Sequence, residues 1–383
     1  MDFESAKKEN LKRIQRFEDN LSNGDCGDGS VDFFPRFIQI EHTTRCNARC
    51  IMCNHLYTAN RGASDLDDRV LDAVEEALPY AETVMINGDG EPLLYGKLDK
   101  SLSLFRRYGV SVGTNTNLSV IDGGVWQYFA RDFAFLNVSC DGSTKELYEH
   151  IRKGLSYDRF VENLNKLNEV APSLRKHLDC VLMRQNISDM ESMVEFAHRH
   201  GFNSVRFHAL GVNPVIANDA DAPHLYPDYL YENAQRARKR AKELGIGILL
   251  PAIEGAGGQN GEDELRAQKA EAESRERIAR VEKLEGHEVT QHLCERVEKS
   301  DLSPAPFEHG GACRWAVERC YIDTKGYMTT CCYNVEKRFG DLSRESFSGV
   351  WNGDDYKAFR KQMCAGRLPA WCGSCEWLKN PRF

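Results

Sequence analysis

No run in this 383-residue chain approaches the 18 apolar residues of a membrane span. The opening residues, MDFESAKKENLKRIQRFEDN, carry charge throughout, so the apolar core of a secretory signal is missing. Positive charge is not in excess either. Lys and Arg number 50 against 58 Asp and Glu, a net charge of −8, whereas a polyanion partner needs a basic face. These absences exclude membrane-spanning and nucleic-acid-binding classes and lead us to expect a cytoplasmic protein. There is no internal repeat, and the one low-complexity tract is a Gly-rich linker at 254–261. Cysteine, by contrast, is plentiful. Fourteen in a chain without an export signal fit metal ligands in a reducing compartment better than disulfides. With 41% hydrophobic and 28% charged residues, the composition is that of a soluble globular chain. Its length suits one large domain with a satellite, or two domains.

Cys46-Asn-Ala-Arg-Cys50-Ile-Met-Cys53 directly follows a strand-like stretch, Phe37-Ile-Gln-Ile-Glu-His42. Three thiolates spaced x3 then x2 can wrap one face of an iron–sulfur cubane, for which four cysteines are the full protein set. No fourth cysteine is local, so one iron would keep an open position. The alternatives are zinc, or buried cysteines that merely lie close in sequence. Structural zinc favours Cys-x2-Cys pairs that close a tetrahedron, and this triplet does not close one.

Around the triplet, periodicity predicts a helix over 1–22, with Leu11, Ile14 and Phe17 on its apolar side, then a loop at 23–30. This leader reads as a cap on the closed end of the main domain. Strands are expected at 37–42, 82–87, 109–115, 134–140, 178–184 and 203–209. Helices are expected between them at 66–78, 97–108, 124–131, 144–153, 157–171 and 188–200. Such alternation argues for an α/β fold built from βα units around a parallel sheet. The strands alternate apolar and polar residues: Ile38 and Ile40 against Gln39 and Glu41, Leu136 and Val138 against Asn137 and Ser139, Val205 and Phe207 against Arg206 and His208. With helices on the apolar side, the other side is left polar, as if built around a polar ligand. A further helix at 226–245 and a strand at 246–251 precede a segment, 251–312, that holds the linker and a charged helical insertion. We expect segments 1–36 (cap), 37–250 (main domain), 251–312 (linker and insertion) and 313–383 (a cysteine-rich domain).

That last domain holds Cys313, Cys320, Cys331, Cys332, Cys364, Cys372 and Cys375. Cys372-Gly-Ser-Cys375 has metal-pair spacing, and a hairpin turn at 323–326 is expected to set Cys313 beside Cys331 on adjacent strands. Two converging pairs suit one closed four-thiolate site, and zinc or a cluster would satisfy it equally.

The triplet, with Asn47 after its first cysteine, resembles the radical S-adenosylmethionine (radical SAM) superfamily. The resemblance implies a partial (β/α)6 TIM-like barrel and a 4Fe–4S cluster on Cys46, Cys50 and Cys53. The open iron of that cluster would chelate SAM, whose reductive cleavage gives a 5′-deoxyadenosyl radical. Asn87-Gly-Asp-Gly-Glu-Pro92 resembles the family's Gly-Gly-Glu turn, which implies that Asp89, Gly90 and Glu91 hold the SAM amino group. Ser139-Cys-Asp-Gly142 resembles its ribose segment, assigning Ser139, and Arg152 matches an arginine that pairs with the SAM carboxylate. Asn115, at a strand end, is a further candidate. From Cys313 onward, Cys-x12-Gly-x4-Cys-Cys followed by Cys-x2-Cys resembles the SPASM and twitch auxiliary-cluster domains. The implied ligands of one auxiliary 4Fe–4S cluster are Cys313, Cys331, Cys372 and Cys375, with Cys320 or Cys364 as possible replacements. The resemblance covers about 37–210 and 313–376.

For the substrate step, His208 and Arg184 near strand ends are the candidates for proton transfer. Cys140 and Cys180 read as core cysteines. The expectation is an oxidoreductase acting on a polar small molecule such as a sugar or aminocyclitol, with an external electron donor such as flavodoxin or ferredoxin. The alternatives are a maturase of a ribosomally made peptide and a redox-neutral epimerase.

Overall fold

The computed structural model describes residues 2–53, 55, 62–119, 124–211, 219–251, 313–332, 337–367 and 372. The Gly-rich linker, the charged insertion and Cys375 lie outside the described residues. In chain order the elements are α1 (Phe3–Ser22), β1 (Phe37–Ile40), α2 (Asp68–Val74), β2 (Thr83–Ile86), α3 (Leu98–Arg107), β3 (Ser111–Thr116), α4 (Trp126–Arg131) and β4 (Phe133–Ser139). They continue with α5 (Lys145–Ile151), α6 (Tyr157–Val170), β5 (Arg175–Leu182), α7 (Met190–Arg199), β6 (Ser204–Ala209), α8 (Pro227–Leu244) and β7 (Gly247–Leu249). The C-terminal part supplies α9 (Arg314–Val317), β8 (Arg319–Ile322), β9 (Tyr327–Thr329), β10 (Gly340–Asp341), α10 (Phe347–Trp351) and α11 (Asp354–Cys364). Each strand from β1 to β6 is thus followed by a helix, as the alternation of patterns requires. No helix among the described residues is long and apolar enough to cross a membrane.

The chain forms two compact units. The first comprises Met1–Arg45, Ala63–Thr114 and Ser300–Phe383; the second comprises Cys46–Gly62 and Asn115–Lys299.

In the first unit the strand order is β10-β9-β8-β1-β2-β3. β1 lies between two parallel partners, with Ile38 opposite Val84 on β2 and opposite Cys320 on β8. The cysteine-rich C-terminal part therefore extends the main sheet instead of forming a sheet of its own. Ile38, Ile40, Val84 and Ile86 are wholly buried. Each such side chain contributes roughly 1.5–3 kcal/mol when removed from water, which fixes the face these strands turn inward. Helix α1 starts at an Asp2 cap and buries Lys7, Asn10, Ile14, Phe17 and Leu21. Lys7 Nζ donates to the carbonyls of Tyr108 and Gly109, and Asn10 Nδ2 donates to that of Phe34. Those carbonyls precede β3 and β1, so α1 lies across the end where the strands begin. Leu11, expected on the apolar side, is 37% exposed. Burial follows alternating steps of three and four residues, and Leu11 lies one helical step from that stripe.

The expected hairpin is present, but it does not contain Cys313. β8 and β9 pair antiparallel with Tyr321 opposite Thr329, around a turn whose Gly326 adopts φ +90°. Asp323 Oδ1 accepts from the amides of Lys325 and Tyr327 and so shapes that turn. Cys313 precedes α9, because the short helix Arg314–Val317 intervenes between it and the strand. Cys320 is the cysteine that β8 carries.

In the second unit β4, β5, β6 and β7 run parallel in that order. Leu178, Cys180 and Leu182 are buried, as are Val205 and Phe207. The opposite face carries His177, Asp179, Arg206 and His208, with Asp179 directly opposite Arg206. Tyr148, Phe160 and Phe196 stack in series behind the sheet, and α8 ends at Gly245 in the left-handed conformation. Cys140 and Cys180 are core residues, at 0% and 1% exposure.

Candidate active site

The triplet loop belongs to the second unit and is held by main-chain bonds. The amides of Arg49 and Ile51 donate to the carbonyls of Lys153 and Ile151, at 2.8 and 3.0 Å. Ile51 and Met52 pack against Ile151, Met183, Leu147 and Val181, so the apolar residues between the cysteines anchor the loop. Asn47 fixes its start: Nδ2 donates to Ser119 Oγ at 2.8 Å, and Oδ1 accepts from Asn117 Nδ2 at 3.1 Å. Between those two partners lies Leu118, a buried non-glycine residue at φ 54°. Cys46 Sγ accepts from the amide of Ala48 and Cys53 Sγ from that of His55. Such N–H···S bonds favour thiolate and tune a cluster's potential.

Arg152 completes this region. It is 7% exposed, places Nη1 3.9 Å from Cys50 Sγ and Nη2 2.8 Å from Asp141, which is itself wholly buried. Burial alone would lower its pKa, but the charges of Asp141 and then Cys50 outweigh burial and raise it. The guanidinium is therefore a fixed positive charge beside the second cysteine, not a surface ion pair. Its Nε is buried and has no hydrogen-bond partner among the described residues. One donor thus remains for an acceptor such as a carboxylate.

Along the polar face of the same unit the side chains pair with one another. Asn137 Nδ2 donates to Asn115 Oδ1 at 2.7 Å. Arg206 grips Asp179 with both Nε and Nη2, at 2.6 and 2.8 Å, and His208 Nε2 lies 3.6 Å from the same carboxylate. Burial would raise the Asp179 carboxyl, yet His208 and Arg206 reverse that and hold it below the usual range. Ser139 lies opposite Asp179 in the β4–β5 register and is half-buried. Arg184 follows β5 in a short 3-10 segment, buried, with Nε 3.3 Å from Asp221. Of the two residues expected to move protons, His208 faces an acidic partner at the polar face, whereas Arg184 is engaged in a buried ion pair.

In the first unit, the turn after β2 is tied to the residues that lead into the triplet. The amide of Glu91 donates to the carbonyl of Arg45 at 2.8 Å. A Cβ on Gly90 would lie 2.2 Å from the Thr43 carbonyl oxygen, so only glycine allows this approach. Glu91 is 3% exposed and caps the next helical turn through Oε1. Asp89 donates its amide to Glu41 Oε1 at 2.6 Å. Glu41 is 4% exposed, and burial, with Asp89 and Asp323 nearby, pushes its pKa up to about 7. Its neighbour His42 is buried and pushed down to about 4.

Cys313, Cys331 and Cys372 are each half-buried. Cys332 is pushed up to about 12 by burial, with the Gln39 side chain beside it. Cys320 is wholly buried on β8, and its thiol is also raised by burial, which suits a core residue and not a thiolate ligand. Cys364 lies beside Cys26, whose thiol is pushed up to about 11 by burial and then by Cys364, a pairing that no spacing rule suggests. Both residues offered as replacement ligands therefore have other environments.

Among the described residues no three His, Cys, Asp or Glu side chains close on one ion-sized point. A cubane asks for something different, because its thiolates bind separate irons. In the second unit the donor set and the remaining Arg152 donor fit a cluster with SAM. The sequence reading missed Asp179 as the partner of His208, Asp141 as the partner of Arg152, and the bond from Glu41 to the turn. The alternation of β5 carried a signal for Asp179, and Asp141 stood inside the motif that assigned Ser139.

Comparison with known proteins accords with this geometry. Residues 40–197 match the family model of the radical SAM superfamily, and residues 313–376 match SPASM, an iron–sulfur cluster-binding domain. An AdoMet-dependent heme synthase of Methanosarcina barkeri is 22% identical over 90% of this chain and 89% of its own length. The mycofactocin maturase MftC of Mycobacterium tuberculosis is 24% identical over 42% of this chain and 41% of its own. Among solved structures, Streptococcus suis SuiB bound to S-adenosylmethionine aligns with a TM-score of 0.60 at 16% identity, covering 91% of this chain and 71% of SuiB. SuiB has also been crystallised with its precursor peptide SuiA.

Proposed function

The chain is a radical SAM enzyme with a C-terminal SPASM domain, binding a 4Fe–4S cluster, an auxiliary cluster and SAM, and we propose that it oxidises a polar small molecule. The observation that carries this reading is the charged face of β5 and β6, where Asp179, Arg206 and His208 pair with one another. A charged face of this kind suits a carboxylate- or hydroxyl-bearing small molecule. The near full-length similarity to a protein named as a heme synthase supports the same choice, and the partial similarity to a peptide maturase supports the maturase alternative.

In this reading Cys46, Cys50 and Cys53 hold the SAM-binding cluster and Cys313, Cys331, Cys372 and Cys375 the auxiliary one. When bound, these groups supply a 5′-deoxyadenosyl radical for hydrogen abstraction and an acceptor for the electron left on the substrate. The chain's own residues position the partners. The turn with Asp89, Gly90 and Glu91 takes the SAM amino group, Arg152 the carboxylate, and Ser139 the ribose, with Asn115 supporting it. His208, held by Asp179, accepts the proton released as the substrate becomes a carbonyl or alkene. Arg184 orients the segment after β5 through its pair with Asp221. The partial barrel with a single-cluster, twitch-like C-terminal domain, a cytoplasmic location and a flavodoxin- or ferredoxin-type donor complete the proposal.

The test is product mass in deuterated water with the true substrate. A product two hydrogens lighter, without solvent deuterium at carbon, is expected. A product of unchanged oxidation state carrying one deuterium at an inverted carbon would establish an epimerase instead. Turnover of a short precursor peptide would establish the maturase reading.

A further inference from the structure

The carboxylate of Glu41 joins two main-chain segments that are far apart in sequence. Oε1 accepts from the amide of Asp89 at 2.6 Å, and Oε2 faces the amide of Thr324, at the tip of the β8–β9 hairpin, at 3.4 Å. Its own amide donates to the Ile322 carbonyl at 2.9 Å, so Glu41 is fastened to the hairpin through main chain as well. A Cβ on Gly88 would lie 2.2 Å from Glu41 Oε1 and 2.5 Å from its Cγ. The glycine is what lets the carboxylate lie flat against the turn. Glu41 and Thr324 are 4% and 3% exposed, so water does not compete for these bonds. The charged and titratable groups that face the carboxylate are Asp89, Asp323 and Tyr321, none of them cationic. An acid without a basic partner in such a place is costly unless its oxygens are used as acceptors, and both are used here.

We infer that Glu41 is a positioning residue for SAM binding, clamping turn 88–91 to the tip of the SPASM hairpin so that the turn's main chain is pre-set to receive the SAM amino group. This rests on the reading of that turn as the amino-group site. The clamp also makes the cysteine-rich domain part of the SAM machinery in a way its own cluster does not require. A disturbance at the hairpin tip would reach the turn through one side chain.

The test uses reconstituted holoenzyme, with amide hydrogen exchange of peptides covering 86–91 and 321–327 and equilibrium dialysis of SAM under anaerobic conditions. Glu41→Ala should speed exchange in both peptides and weaken SAM about tenfold, with iron content unchanged, as expected for a lost charge-assisted bond in a buried place. Glu41→Gln keeps one acceptor for Asp89 and should recover most of that loss, to about threefold. Unchanged exchange in the two peptides of Glu41→Ala would overturn the clamp. Faster exchange with unchanged SAM affinity would overturn its role in SAM binding, and Gly90→Ala then locates the error. If Gly90→Ala weakens SAM, the turn keeps its assignment and Glu41 alone is misassigned. If it does not, the reading of the turn falls with it.

Discussion

Cys46, Cys50 and Cys53 sit in one loop, whereas Cys313, Cys331 and Cys372 come from three separate pieces of chain. The first group has a dedicated environment: amides directed at two of its sulfurs, a buried arginine beside the third, and apolar residues that anchor the loop between the cysteines. The second group is marked out by its place in the stretch that matches SPASM, residues 313–376. Of the cysteines around it, Cys320 is in the core, Cys332 lies beside Gln39 and Cys364 beside Cys26. A site whose ligands are local can be tuned by the few residues beside it, and Arg152 and the N–H···S bonds lie beside the triplet. A site assembled from distant segments depends on the domain that brings them together, and this domain is an extension of the main sheet through β8 on β1.

The largest effect that separates the two groups should be on iron. Two 4Fe–4S clusters give on the order of eight irons per chain after anaerobic reconstitution. Changing Cys46, Cys50 and Cys53 together to Ala should leave half, and changing Cys331 and Cys372 should remove the other half. Iron near half in the wild type, with bound zinc, would break the symmetry of the comparison by making the C-terminal site a zinc site. Arg152→Ala should affect the first group alone. It strands the buried Asp141 carboxylate, at a cost of about 3–5 kcal/mol in stability, and weakens SAM by about 1.5–3 kcal/mol. Urea midpoints and SAM dialysis measure the two effects separately, and Arg152→Lys should restore more of the first than of the second.

Glu41 and His42, which lie on β1's exit toward the triplet, sharpen the comparison through pH. Glu41 is raised to about 7, so the folded state keeps a proton that the unfolded chain has lost, and stability falls as pH climbs from about 4.5 to 7. His42 is lowered to about 4, so its contribution has the opposite sign and is lost as pH falls from about 6.5. The two slopes oppose one another in the wild type. Glu41→Gln should leave only the second, so its thermal midpoint relative to wild type should climb between pH 5 and 7.5, by the equivalent of on the order of 3 kcal/mol. A flat difference would mean that Glu41 ionises normally. The smallest effect should be at Cys320. Cys320→Val should keep all iron and change stability by about 1 kcal/mol, since it exchanges one small core group for another. Lost iron would move Cys320 into the ligand set.

Much of this was legible in the sequence, for reasons that differ by region. The strand and helix order followed from alternation, and each strand placed from β1 to β6 overlaps the stretch expected for it. The triplet was legible because its three cysteines fall within eight residues of one loop. Leu11 was misplaced because a three-residue step reads the same on paper as a helical stripe, and only packing tells which register is buried. The hairpin was expected with Cys313 in it, but α9 intervenes, and nothing in a Cys-x12-Gly pattern reveals a four-residue helix. The bonds from Asp141 to Arg152, from Asp179 to His208 and from Glu41 to Asp89 join residues 11, 29 and 48 positions apart. Contacts of that kind depend on strand register and loop path, which periodicity does not carry.

The most direct test of the account is SAM cleavage itself. Reconstituted wild-type enzyme, reduced anaerobically, should convert SAM to methionine and 5′-deoxyadenosine, slowly even without substrate. The variant lacking Cys46, Cys50 and Cys53 should form neither, while one lacking Cys331 and Cys372 should still form both. 5′-Deoxyadenosine from the first variant, or none from the second with its remaining cluster intact, would contradict the division of labour between the two groups of cysteines.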